Sequence, residues 1–320
     1  MSDLPKSVQI NEEGPREGFQ IEPGPIATNR KIALIDALSQ TGLNSIQVAS
    51  FVNPKRVPGW ADADAVVEGF TPRPGVRYTA LWLNEKGLER ALSHRGRLAI
   101  AGSISLVASE PFVMKNQQRS FAENAAMQRS QIAICKANGI PVEKMSVMAA
   151  FGCNYAGDIT AEDVVRTLES GFGIAHDEGL AIKEIALADT MAWATPESIK
   201  RTVGAVRERW PEARVNLHLH DTRGLGIANA YAGLEMGVDS FDSAVAGLGG
   251  CPFAGHKGAA GNVCTEDLVF MCEEMGIATG VDLDALIEAA RLAEEVVAHP
   301  LPGAVMRGGT LDRLRANPLR

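Results

Sequence analysis

The 320-residue chain contains no Cys-x-x-Cys pair, and its five cysteines (Cys135, Cys153, Cys251, Cys264, Cys272) are an odd number. That argues against a disulfide framework and for reduced thiols in a cytoplasmic protein. No 18-residue apolar run occurs, and the opening MSDLPKSVQINEEGPREG lacks the apolar centre of a secretory signal. Neither a membrane partner nor export is expected. Basic residues form no block, and 31 Lys and Arg against 39 Asp and Glu leave a net charge of −8, which argues against nucleic acid as the main partner. Internal repeats and low-complexity segments are also missing. So is a GxGxxG fingerprint after the first strand-like segment, where GPREGFQ stands instead. A doubly wound dinucleotide-binding sheet loses its main support.

What is present is ample core material, 46% hydrophobic and 22% charged residues, in a regular alternation. Strand-like runs fall at Val8–Glu13, Ser45–Phe51, Arg77–Leu83, Ala99–Leu106, Lys144–Phe151, Glu184–Asp189, Arg214–His220 and Ser240–Val245. Helical patterns separate them. In Asn29–Thr41, Ile32, Ile35 and Leu38 share one face and Gly42 follows as a stop. Thr160-Ala161-Glu162-Asp163 and Thr195-Pro196-Glu197 read as helix N-caps. Eight βα units without a long linker predict a closed parallel (β/α)8 barrel over residues 1–278. A C-terminal helical extension, 279–320, should follow, with an amphipathic helix at Asp282–Val297.

In such a barrel the reactive side chains lie at the C-terminal strand ends. The seventh strand ends Asn216-Leu217-His218-Leu219-His220-Asp221. Residues two apart on a strand point the same way, so His218 and His220 can face one metal ion. His94, His176 and His299 lack such a partner and read as surface or locally bonded. The first strand runs into Gly14-Pro15-Arg16-Glu17-Gly18, where Glu17 offers a third ligand and Arg16 a permanent cation with a rigid fork of donors. Two imidazoles, a carboxylate and open positions suit Mg²⁺ or Mn²⁺; the ligand types alone also admit Zn²⁺. After the eighth strand comes Ala246–Asn262, a seventeen-residue run with six glycines, one cysteine, a histidine and a lysine. Such density suits a mobile loop beside an active site.

The segments GPREGFQ, ASFVNPKRVPGWADAD, LADT, HLHDTRG and GLGGCPFA…GN…TEDLVFM resemble those of the 3-hydroxy-3-methylglutaryl-CoA lyases, members of the DRE-TIM metallolyase superfamily. The match runs through nearly the whole chain in order. It implies a homodimeric, divalent-metal-dependent lyase cleaving hydroxymethylglutaryl-CoA to acetoacetate and acetyl-CoA. Glu17, His218, His220 and Asn262 would be metal ligands. Arg16 would steady the enolate, Asp189 would move a proton, and Cys251 would sit on a closing loop near the reacting carbon. Gln20, Gln47 and Lys257 would contact the acyl-CoA substrate. Such roles fit the chemistry, since a tertiary hydroxyl made acidic by a metal collapses to a ketone and expels a thioester enolate. The chain departs from the family pattern in four places: Glu17 replaces aspartate, Gln47 replaces glutamate, Pro23 stands where a lysine is usual, and Gly255-His256-Lys257 lengthens the loop. These changes leave room for another 3-hydroxyacyl-CoA substrate. Further alternatives are a Claisen synthase or aldolase of the superfamily and a non-catalytic acyl-CoA-binding barrel.

Overall fold

A computed structural model describes residues 4–250 and 261–316. Eight short strands form its sheet: β1 (Gln9–Glu12), β2 (Ser45–Ser50), β3 (Arg77–Leu81), β4 (Gly102–Val107), β5 (Val142–Met148), β6 (Glu184–Ala188), β7 (Arg214–His218) and β8 (Ser240–Ser243). All pairings are parallel, in the order β3-β2-β1-β8-β7-β6-β5-β4, so the first strand closes on the last, with Gln9 opposite Ser240 and Glu12 opposite Ser243. A hydrogen bond from Ala99 N to Tyr78 O, 2.8 Å long, spans the seam between β3 and the segment leading into β4. The helices are α1 (Gly14–Ile21), α2 (Thr28–Leu38), α3 (Ala63–Gly69), α4 (Glu85–Ser93), α5 (Glu110–Gln117) and α6 (Phe121–Ala137). Then come α7 (Ala161–Asp177), α8 (Pro196–Arg209), α9 (Gly226–Glu235), α10 (Thr265–Glu274) and α11 (Leu283–Val297), with short helical turns near the C-terminus. This is the (β/α)8 barrel that the alternation predicts.

The expected caps form. Thr160 accepts from Asp163 N at 3.2 Å while the Asp163 carboxylate takes Thr160 N at 3.0 Å, satisfying two N–H groups that the first turn of α7 leaves open. Thr195 and Ser198 do the same for α8, with Pro196 in its first turn, where no N–H is needed. Asp282 caps α11 through Ala285 N at 3.0 Å. The apolar face of α11, with Leu286, Ile287, Ala290 and Ala293 buried, packs on α2 and on the turn Val245–Gly247 that follows β8. That contact braces the backbone on its way out of the barrel.

Several strands end one to three residues earlier than the hydrophobic pattern suggests. Glu13, Phe51, Asp189 and His220 lie just past the ladders. The cause is visible at His220, whose backbone pairs with the returning residue Asn262 in an isolated antiparallel bridge instead of with β8. The barrel interior is polar: Asn11 donates to Asp242 at 3.0 Å and Ser240 to Asn216 at 2.7 Å. Most of the apolar core lies between strands and helices. Among the described residues no helix is long and apolar enough to cross a membrane.

Candidate active site

The site grows from the junction of β1 and α1. Successive residues of a strand face opposite sides, so the adjacent acids Glu12 and Glu13 part company. Glu12 is fully buried and accepts from Gly14 N at 2.7 Å, Val245 N at 2.9 Å and Thr265 Oγ1 at 2.6 Å. Its carboxylate therefore ties the start of α1 to the end of β8 and the start of α10. Burial pushes that carboxyl up to about 7, against the opposing hydrogen bonds. Trp60 adds a second tie, donating from Nε1 to Arg16 O at 2.9 Å. Arg16 and Glu17 are thus placed in the first turn of α1, at the barrel mouth.

Glu17 is the hub. Its Oε1 lies 2.8 Å from Arg16 Nη2 and 3.9 Å from His218 Nε2, and its Oε2 accepts from Asn262 Nδ2 at 2.6 Å. Burial alone would raise its pKa, but Arg16 and the two imidazoles outweigh that and hold the carboxyl at about 2. The His218 and His220 rings stand edge to face, centroids 5.1 Å apart at 78°. His220 Nδ1 lies 2.6 Å from Asp189 O; a carbonyl can only accept, so Nδ1 carries the proton and Nε2 presents a lone pair. Burial and the neighbouring His218 hold His220 down at about 4, so it is neutral near pH 7. For His218, burial is overcome by Glu17 and by Asp242, 3.2 Å from Nδ1, and its pKa rises to about 9.

One potential ligand atom each from Glu17, His218 and His220 lies within 4.8 Å of the others. The buried His220 Nε2 and Asn262 Oδ1 have no hydrogen-bond partner. Buried acceptors left open beside a carboxylate held ionised are what a divalent cation needs, so these four residues fit such an ion. Asp189 follows the end of β6. Its Oδ1 accepts from Trp193 N at 2.7 Å and Ala194 N at 3.1 Å, whereas the buried Oδ2 has no partner. Burial pushes this carboxyl up to about 6.

Gln47 uses both ends of its amide, accepting from Arg16 Nε and donating to Glu13 Oε1 at 3.3 Å. Gln20 lies in the last turn of α1 with a buried, unpartnered Oε1. Cys251 and Lys257 lie outside the described residues. The ends of their glycine-rich run are described, and they lie at the site. A Cβ on Gly261 would fall 1.7 Å from Gly249 O, so the run enters and leaves backbone against backbone. Gly249, at φ +86°, has room for no Cβ either, since that atom would lie 2.6 Å from Glu17 Cβ and 2.8 Å from Asn262 Nδ2. Away from the site, His94 is buried and faces Asp64 at 2.9 Å, while His299 faces Glu22.

Sequence reasoning missed Glu13, Asp242 and Lys144. Glu13 pairs with Arg16, and Asp242 orients His218. The Asp242 carboxyl is held well below its usual range by Lys144 and His218 despite its burial. The signal was a single acid or base on the inward-facing register of a strand, legible once Asn11, Lys144 and Asp242 are read with a period of two.

The HMGL-like family profile covers residues 7–293. The chain is 40% identical to the hydroxymethylglutaryl-CoA lyase YngG of Bacillus subtilis over 299 residues, 93% of this chain and 96% of the relative. It is 40% identical to the human mitochondrial hydroxymethylglutaryl-CoA lyase over 289 residues, 90% and 85% of the two chains. The crystal structure of a Bacillus subtilis HMG-CoA lyase superposes with a TM-score of 0.86 at 37% identity, covering 95% of this chain and 98% of that one. An HMG-CoA lyase from Acinetobacter baumannii, solved in complex with coenzyme A and 3-methylmalate, gives 0.85 at 36% identity, covering 100% and 99%. With that likeness along the barrel and the two histidines, carboxylate and amide gathered at its mouth, the chain belongs to the HMGL-like family as a hydroxymethylglutaryl-CoA lyase-type carbon–carbon lyase.

Proposed function

We propose that this lyase cleaves 3-hydroxy-3-methylglutaryl-CoA to acetoacetate and acetyl-CoA, with Glu17, His218, His220 and Asn262 holding a divalent cation. The observation that carries the reading is the pair of open buried acceptors, His220 Nε2 and Asn262 Oδ1, beside Glu17. Two imidazoles, a carboxylate, an amide oxygen and positions left for water or substrate favour Mg²⁺ or Mn²⁺. When bound, such an ion supplies a Lewis-acidic centre that makes a chelating tertiary hydroxyl more acidic.

The chain's own groups do the rest. Asp189 Oδ2, open and poised near neutrality, takes the hydroxyl proton. The adjacent carbon–carbon bond then breaks, its electron pair passing to the thioester as an enolate while acetoacetate forms. Arg16 has five N–H donors, of which Nε faces Gln47 and the Nη2 pair faces Glu13 and Glu17. Its two Nη1 protons have no partner among the described residues and are left for the enolate oxygen. The Cys251 thiol delivers the proton that turns the enolate carbon into the methyl group of acetyl-CoA. Gln20 and Lys257 are assigned to the acyl-CoA. The coenzyme A in the Acinetobacter baumannii relative supports that ligand class. Four described cysteines, all buried and unpaired, fit a reducing compartment, and we place the enzyme in the cytoplasm.

The test follows acetyl-CoA and acetoacetate from purified protein given hydroxymethylglutaryl-CoA, with other 3-hydroxyacyl-CoA thioesters alongside. Turnover should vanish with EDTA and return with Mg²⁺ or Mn²⁺. Cleavage unaffected by EDTA would remove the metal role, and a faster reaction with another thioester would reassign the substrate.

A further inference from the structure

Arg16 is held by a closed ring of hydrogen bonds. Its Nε donates to Gln47 Oε1, Gln47 Nε2 donates to Glu13 Oε1 at 3.3 Å, and Glu13 Oε2 receives Arg16 Nη2. The amide orientation in this ring is dictated, because a guanidinium can only donate. The Gln47 oxygen must face Arg16, and its NH₂ then falls on Glu13. The second Nη2 proton meets Glu17 Oε1 at 2.8 Å. Side-chain exposures of only 13% for Glu13 and Arg16 and 12% for Glu17 set this cluster apart from a screened surface pair.

Two carboxylates therefore compete for one guanidinium. With Glu13 neutral or gone, nothing on that side balances Glu17. Arg16 would then swing into a two-point fork on Glu17, the preferred geometry of an arginine and a carboxylate. That movement would turn Nη1 away from the reacting oxygen. It would also add a second guanidinium contact to the Glu17 carboxylate, whose Oε1 already meets Arg16 and lies 3.9 Å from His218 Nε2, where a cation must bind. We propose that Glu13 is a positioning residue for the lyase reaction: through its ring with Gln47 it limits Arg16 to a single contact with Glu17 and keeps the Nη1 donors aimed at the reacting oxygen. The inference rests on the enolate-stabilising role given to Arg16 above.

The test compares Glu13→Gln, the exchange Glu13→Gln/Gln47→Glu and Arg16→Lys in the full-length, metal-loaded enzyme. Mn²⁺ affinity is measured separately by calorimetry on the metal-free proteins. Glu13→Gln keeps the shape but loses the charge, so kcat should fall about tenfold or more while KM stays within about threefold. Its Mn²⁺ affinity should fall as well, since Arg16 is released onto Glu17. The exchange puts a carboxylate on the other arm of the same ring, facing Arg16 Nε, and should recover most of the lost kcat and affinity. A purely structural need for Glu13 would give no such rescue. If Arg16→Lys turns over at the parent rate, the role of Arg16 is wrong and this inference falls with it. If Arg16→Lys is slow while Glu13→Gln keeps the parent kcat and Mn²⁺ affinity, the inference alone is overturned. A slow Glu13→Gln that the exchange fails to rescue also overturns it, because the carboxylate would then be needed at position 13 for something other than holding Arg16.

Discussion

Adding a divalent cation to the metal-free protein at pH 7 should release about one proton per ion, and that proton comes from His218. Without a cation the ring lies between Asp242, 3.2 Å from Nδ1, and Glu17, 3.9 Å from Nε2. These carboxylates outweigh burial and set its pKa at about 9. Neutral pH lies below that value, so the imidazolium dominates, roughly a hundredfold at two units' distance. A ligand must be neutral, so the Nε2 proton has to leave while the Nδ1 proton stays on the ring, donated to the Asp242 carboxylate. His220 adds nothing at pH 7, because burial and His218 hold it near 4 and it is already neutral.

Competition of this kind lowers the apparent affinity at pH 7 about a hundredfold relative to pH above 9, or about 3 kcal/mol. Affinity therefore rises with pH up to about 9 and then levels off. Calorimetric titration with Mn²⁺ in buffers of different ionisation enthalpy counts the protons. The slope of observed against buffer enthalpy should be near one at pH 7 and approach zero above pH 9. Asp242→Asn removes the charge facing Nδ1 and should reduce the release at pH 7. A buffer-independent enthalpy at pH 7 would show that His218 is neutral beforehand and would refute the argument.

Asp189→Asn should lower turnover by about two to four orders of magnitude, the usual range for a general base, and should remove the acidic limb of kcat/KM. In the parent that limb falls at or below about pH 6, where Asp189 takes up a proton and can no longer act as base. A limb that survives in the asparagine variant would assign the proton to another group. Gly249→Ala forces a Cβ to within 2.6 Å of Glu17 Cβ and 2.8 Å of Asn262 Nδ2, at φ +86°. The strain of about 1–3 kcal/mol should appear as weaker Mn²⁺ binding by calorimetry, and parent affinity would show that the glycine is not needed there.

The barrel was legible because its signals are local and repeated. Most strands are short runs centred on apolar residues and several helices carry their own cap, as Thr160 and Thr195 show, so eight units can be counted without knowing any contact. The histidine pair was legible for the same reason, because two residues spaced two apart at the end of one strand settle their own relative direction. The Arg16 ring was hidden because it depends on register between strands. Gln47 reaches Glu13 only because β1 and β2 pair with Asn11 opposite Ser45 and Glu12 opposite Ile46, a correspondence no single segment encodes. Asp242 was hidden likewise, since its partners Asn11, His218 and Lys144 come from three other strands. Strand ends were overrun wherever apolar or functional residues continue past the ladder, as at Asp189 and His220.

Glu17 and Asp189 stand at the same mouth, both nearly enclosed, yet their carboxyls are pushed in opposite directions. Glu17 has a guanidinium at 2.8 Å, the two imidazoles near it and the Asn262 amide donating to it, and together these more than offset its lost hydration. Asp189 receives mainly backbone N–H groups, from Trp193 and Ala194, which offset only part of it. The chemistry needs this division, because a ligand must remain charged at every working pH whereas a base must be able to gain and lose a proton near neutrality. It follows that a cation moved from the Glu17 side to the Asp189 side would damage both functions at once. Glu13 and Gln47 fix where Arg16, the permanent cation on the Glu17 side, sits. The charges that reach Asp189 are those of His218 and Arg223, and with the two backbone donors they offset only part of its burial, which leaves the base near neutrality while Arg16 keeps the ligand ionised.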